Sequence, residues 1–119
     1  MPAPSFNQPI AEITVKELAR LQRESPETVQ FVDVREPHEL ELASLPGFKN
    51  LPLSEYGLWS TDIHSRLDLE KPTVVLCHHG MRSAQMCQWL ITQGFTQVSN
   101  IIGGIDAYSA IVDASVPRY

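Results

Sequence analysis

The segment Cys77-His78-His79-Gly80-Met81-Arg82-Ser83 places a cysteine, a glycine, an arginine and a serine within one short stretch. If the backbone turns sharply there, Gly80 supplies the conformational freedom. Successive backbone N–H groups in such a turn converge on one anion. A helix starting near Arg82 adds the positive end of its dipole, and Arg82 adds a fixed positive charge. Each contribution favours a thiolate over a thiol, and the thiolate is the nucleophilic form. The chemistry this permits is covalent catalysis at sulfur, because the same cradle suits a persulfide or the anionic group of a sulfur donor. A cysteine closing an apolar strand also serves as a small core residue. The coincidence of Gly80, Arg82 and Ser83 separates Cys77 from that use.

The chain has one other cysteine, Cys87. Two cysteines are too few for a disulfide scaffold, and their spacing matches no common zinc or dithiol motif. Cys87 shares a helix face with Ala84, Leu90 and Ile91, which marks it as a core residue rather than a resolving thiol. His78 and His79 either tune the loop as partly protonated imidazoles or simply make it polar. No metal is expected, since side chains of adjacent residues diverge. No cofactor is implied. Trp59 and Trp89 read as packing or rim residues.

The elements that position the loop follow from periodicity. Thr14, with Glu17 three residues on, forms a capping-box pattern for a helix running to about residue 24. Residues 29–34 are β-rich and end in charge at Asp33 and Arg35, a buried strand. Pro37 opens a short helix to about residue 43. Residues 48–53 are extended, and Ser54 and Thr61 are candidate caps for two short helices. Residues 73–77 form the most apolar run and the central strand; 82–93 form a helix stopped by Gly94. A last strand covers 97–101, and Gly103-Gly104 leads into a final helix over 105–112. Strands alternating with helices predict an α/β domain with a mainly parallel sheet. Ligands of such sheets sit at the C-terminal ends of strands, where both Asp33 and Cys77 fall.

With 119 residues and 43% hydrophobic content, the chain fits one domain with a real core. Residues 1–9, with three prolines, read as a flexible N-terminal arm, and 10–119 as the domain. The formal net charge of -5 argues against nucleic acid and anionic membranes. No stretch approaches the roughly 18 apolar residues of a membrane helix. The N-terminus carries neither a basic start nor an apolar segment. A cytoplasmic location is the expectation.

The Cys77 to Ser83 loop resembles the Cys-x-x-Gly-x-Arg-Ser loop of rhodanese-like domains. Asp33-Val34-Arg35-Glu36-Pro37-His38-Glu39 resembles the family's Asp-Val-Arg-Glu-Pro-x-Glu signature. Leu45-Pro46-Gly47 with Asn50-Leu51-Pro52-Leu53, then Gly94-Phe95 and Gly103-Gly104-Ile105-Asp106-Ala107-Tyr108, resemble later blocks in order. Ala43-Ser44 stands where the family has Gly-His, and Tyr108 where it has tryptophan. The resemblance implies a three-layer domain with a central, mainly parallel five-stranded sheet flanked by helices. It implies a single-domain sulfurtransferase that carries sulfane sulfur on Cys77 from thiosulfate or a persulfide to a thiophilic acceptor: cyanide, a thiol or a partner protein. The chain's resemblance to units fused to adenylating enzymes implies that the acceptor can be a protein. Asp33 and Arg35 are expected to brace the loop by ion pairing. Inactive regulatory modules share the fold and typically lose the cysteine. Phosphatases and arsenate reductases on the same fold use a loop one residue longer; the four residues between Cys77 and Arg82 make a tighter cradle, suited to one sulfur atom.

Overall fold

A computed structural model describes residues 9–119. The arm expected over residues 1–9 therefore lies, apart from Pro9, outside the described residues. Five strands form one sheet, ordered β1-β5-β4-β2-β3: β1 Ala11–Ile13, β2 Gln30–Asp33, β3 Lys49–Asn50, β4 Thr73–Leu76 and β5 Val98–Ile101. Among the described residues every pairing is parallel, in keeping with the mainly parallel five-stranded sheet expected.

Side-chain alternation along β4 divides the core in two. Val74 and Leu76 join a cluster with Phe31, Val15, Leu18 and Ile105. This face is covered by α1 (Val15–Glu24) and α6 (Gly104–Ile111). Val75 and Cys77 point the other way, into a cluster with Met86, Cys87, Trp89, Leu90 and Trp59. That face is covered by α5 (Met81–Thr92) and two single-turn helices, α3 (Tyr56–Trp59) and α4 (Ile63–Arg66). Tyr56, Trp59 and Trp89 meet edge to face with ring centroids 5.3–5.6 Å apart, so both tryptophans pack rather than rim the site.

Thr14 caps α1 through the complete capping box with Glu17. Ser54 and Thr61 do not act as helix caps. The region instead breaks into the 3₁₀ turns Leu53–Glu55 and Ser60–Asp62 alternating with α3 and α4. Ser54 spends its hydroxyl on the Glu36 carboxylate, just before α2 (Pro37–Leu42). β1 is an edge strand of three residues to which periodicity assigns no element.

Candidate active site

Strands β2 and β4 are neighbours in register, Asp33 beside Leu76, so their C-terminal ends open at the same level. Cys77 follows directly and is 1% exposed. Gly80 turns the chain with φ +106°, a left-handed conformation that side chains rarely adopt, and α5 begins at Met81. This turn aims the Gly80 N–H back at the cysteine: it donates to Cys77 Sγ at 3.0 Å. Ser83 Oγ lies 3.2 Å from the same sulfur.

The loop is supported from behind by α6. Ile105 N–H donates to Cys77 O (3.0 Å) and Asp106 N–H to His78 O (3.1 Å). Such close docking is open only to glycine at position 104, where a Cβ would stand 2.4 Å from both the Cys77 and the His78 carbonyl oxygens. The Gly103-Gly104 pair is thus a seat for the cysteine loop.

Arg82 does not present a free charge. Its guanidinium grips the Glu39 carboxylate through two bonds of 2.7 and 2.9 Å, a bidentate pair. Glu39 Oε1 also accepts from the Tyr119 hydroxyl at 3.0 Å, and that hydroxyl accepts from Arg35 Nη1 at 3.0 Å. Arg35 is fully buried and forks onto Asp33, with Nη2 2.7 Å from Oδ2 and Nε 3.0 Å from Oδ1. Asp33 and Arg35 therefore pair with each other and reach the cysteine loop through Tyr119, which stacks on His78, and through Glu39, which holds Arg82. Glu39 lay within the Asp33 to Glu39 motif without being singled out. Tyr119 had no sequence signal, because it reaches back across 80 residues to Glu39.

The histidines correct a premise. Adjacent residues need not diverge: the His78 and His79 rings stack at 3.9 Å, and Tyr119 stacks on His78 at 3.9 Å and 8°. Burial first, and the neighbouring His79 second, hold His78 below the ordinary imidazole value, disfavouring its charged form. The donor atoms of His78, His79 and Asp106 lie within 4.8 Å of one another. Stacked rings cannot both turn their nitrogens in-plane to one ion, and Asp106 is held by Arg118 through both oxygens at 3.0 and 3.1 Å. We assign this group no metal. Met81, at the start of α5, is 79% exposed at the rim. Cys87 is fully buried, and burial, helped by Cys77, pushes its thiol up to about 12.

Pairing with Arg82 is the largest cause holding the Glu39 carboxyl at about 2, against an ordinary 4.5. The folded-state value is depressed, so the stabilisation is complete above about pH 4.5 and disappears as pH falls towards 2. Its size at neutral pH is on the order of 2–3 kcal/mol. Urea unfolding of Glu39→Gln against the unsubstituted chain is expected to show that gap at pH 7 and a closing gap between pH 4.5 and 2. A gap that ignores pH would mean the carboxylate's charge is not what stabilises.

Comparison with known proteins agrees with this architecture. A family model described as Rhodanese-like domain matches residues 14–111. The "Rhodanese-like/PpiC domain-containing protein 12, chloroplastic" of Arabidopsis thaliana is 50% identical over 97% of this chain, which spans only 39% of that relative. The "Thiosulfate sulfurtransferase GlpE" of Pseudoalteromonas translucida is 27% identical over 77% of this chain and 84% of its own. A rhodanese-like domain protein from Staphylococcus aureus superposes with a TM-score of 0.73 at 26% identity, covering 92% of this chain and 99% of its own. Among the described residues no helix is long and apolar enough to cross a membrane. With the family model covering most of its length and the five-stranded parallel sheet in place, the chain belongs to the rhodanese-like domain family.

Proposed function

We propose that this domain is a sulfurtransferase that carries sulfane sulfur as a persulfide on Cys77. It takes the sulfur from a small donor, thiosulfate or a persulfide, and passes it to a thiophilic acceptor: cyanide, a thiol or a partner protein. The observation that carries this is the Gly80 N–H donating to Cys77 Sγ at 3.0 Å at the floor of a loop only four residues wide before Arg82. An N–H aimed at sulfur stabilises the attacking thiolate. In this reading the remaining loop amides and Arg82 would hold the outer sulfur of a persulfide.

The Cys77 thiolate attacks the outer sulfur of the donor. A sulfur–sulfur bond forms to Cys77 as the donor's bond to that sulfur breaks, and sulfite or a thiolate leaves with the electron pair. An acceptor nucleophile then takes the outer sulfur and returns Cys77 as thiolate, a double displacement. The Glu39 carboxylate cancels much of the Arg82 charge. A site so neutralised suits a singly charged persulfide better than a phosphate or arsenate dianion, which supports sulfur over phosphorus. The location proposed is the cytoplasm, where thiols stay free. The chloroplast named for the Arabidopsis relative is equally compatible.

The test is the intact mass after mixing with thiosulfate, glutathione persulfide or polysulfide. The expected result is a gain of one sulfur that cyanide removes. No gain with any donor would favour a non-catalytic binding module. Aryl phosphate hydrolysis without sulfur uptake would favour the phosphatase reading.

A further inference from the structure

Beneath the cysteine loop, β5 (Val98-Ser99-Asn100-Ile101) contributes a buried polar side chain, Asn100, while Ser99 is half-buried. Asn100 is 4% exposed, and its neighbours Val98 and Ile101 belong to the core. Its amide orientation is fixed. Nδ2 donates to Gly80 O at 3.0 Å, so Oδ1 is the atom that faces Ser83. The Ser83 hydroxyl, fully buried, donates to that Oδ1 at 2.5 Å. A hydroxyl has one proton to give. With that proton on Asn100, Ser83 shows lone pairs to Cys77 Sγ, 3.2 Å away.

We propose that Asn100 is a positioning residue for sulfur transfer, acting through Ser83 to hold the hydroxyl proton away from the Cys77 sulfur except while the sulfur is a free thiolate. The proposal rests on the sulfurtransferase reading of the site. A Cys77 thiol satisfies the Ser83 lone pairs by donating its own S–H. A thiolate meets those lone pairs with a charge of the same sign. To serve the thiolate, the Ser83 proton must turn from Oδ1 to Sγ, which leaves a buried carbonyl without a donor. In the persulfide the sulfur bonded to Cβ is uncharged and the charge sits on the outer atom. Ser83 then keeps its bond to Asn100.

The thiolate is thus the one state of Cys77 that this pair disfavours. Ionisation sends the thiol proton to solvent. Attack on the donor forms the new sulfur–sulfur bond, expels sulfite or a thiolate, and restores the Ser83–Asn100 bond. The pair therefore favours loading over the free thiolate, and a less stabilised thiolate is also the stronger nucleophile.

The test is the pH dependence of Cys77 alkylation by iodoacetamide, read on the Cys77 peptide, for the unsubstituted chain, Asn100→Ala, Ser83→Ala and the double variant. The charged and titratable groups around Cys77 are unchanged in all four: Arg82 with Glu39, His78 and His79 on the loop, Asp33 with Arg35 at the adjacent strand end, Tyr119, and Cys87 on α5. Asn100→Ala frees the Ser83 hydroxyl for the thiolate and is expected to lower the alkylation midpoint by about one pH unit, tenfold more thiolate at a given pH. In the Ser83→Ala background the same substitution is expected to shift nothing. A midpoint that stays put, or an equal shift without Ser83, overturns the proposal. Should Asn100→Ala fail to fold, NMR of the unsubstituted chain decides: the Asn100 side-chain amide signals are expected to move as Cys77 ionises, and signals that do not move overturn it. Alkylation reads Cys77 whether or not a donor is accepted. Failure to take up sulfur therefore counts against the sulfurtransferase reading alone.

Discussion

Cys77→Ser is expected to abolish sulfur uptake from every donor while leaving the fold in place, with turnover falling by roughly 10³-fold or more, as for nucleophile removal in other covalent enzymes. Serine keeps an acceptor for the Gly80 N–H, and the side chain is nearly the same size. The core around position 77 therefore needs little rearrangement. Cys87→Ser is the internal comparison. Cys87 lies in the same core cluster, but its thiol is pushed up to about 12 by burial, so at neutral pH it is neither nucleophile nor resolving group. Its replacement is expected to leave sulfur uptake intact and to cost about 1–3 kcal/mol for burying a hydroxyl without a partner. Intact mass after donor and cyanide treatment reads uptake, and urea unfolding reads stability. Sulfur found on the Cys77→Ser protein, or lost from the Cys87→Ser protein, would move the carrier away from Cys77.

What the sequence made legible here was whatever is local. The apolar run 73–77, the Gly80 turn and the helix after it are contiguous, so spacing alone places Cys77 at a strand end. β1 was missed because it is three residues at the sheet edge, Ala11-Glu12-Ile13, largely exposed and too short to alternate. Ser54 fails as a cap because a hydroxyl before a helical pattern caps only when no carboxylate competes, and Glu36 takes it; Thr61 falls inside the 3₁₀ turn Ser60–Asp62. Within the site, the short-range members were visible and the long-range partners were not. Arg82 looked like an uncommitted charge because its partner Glu39 is 43 positions away. Asn100 carries no local signal, sharing its strand with the polar Ser99, since only the fold brings it beneath Gly80. Asp33 and Arg35 were legible as a pair, being two residues apart on one strand end, while their route to the loop through Tyr119 depends on the chain folding back.

That route makes Arg35→Met the second large effect expected. Arg35 donates to Asp33, to the Glu39 and Ala43 carbonyls at 3.3 and 2.9 Å, and to the Tyr119 hydroxyl. Methionine fills much of the volume but leaves Asp33, 1% exposed, as a buried carboxylate without its countercharge. Breaking a buried pair from one side costs about 3–5 kcal/mol, a large share of the 5–15 kcal/mol that holds a typical domain together. The expected measurement is a much lower urea midpoint with an unchanged slope. Removing both charges, as Asp33→Asn with Arg35→Met, is expected to recover most of that loss, because the penalty lies in the orphaned charge rather than in the missing attraction. If the pair only stabilises the fold, the double variant should also recover sulfur uptake. The geometry argues otherwise: Arg35 anchors Tyr119, Tyr119 holds Glu39, and Glu39 fixes Arg82 beside the sulfur. The double variant is therefore expected to regain stability yet load sulfur more slowly than the unsubstituted chain. Full recovery of both would reduce the Asp33–Arg35 pair to a structural role.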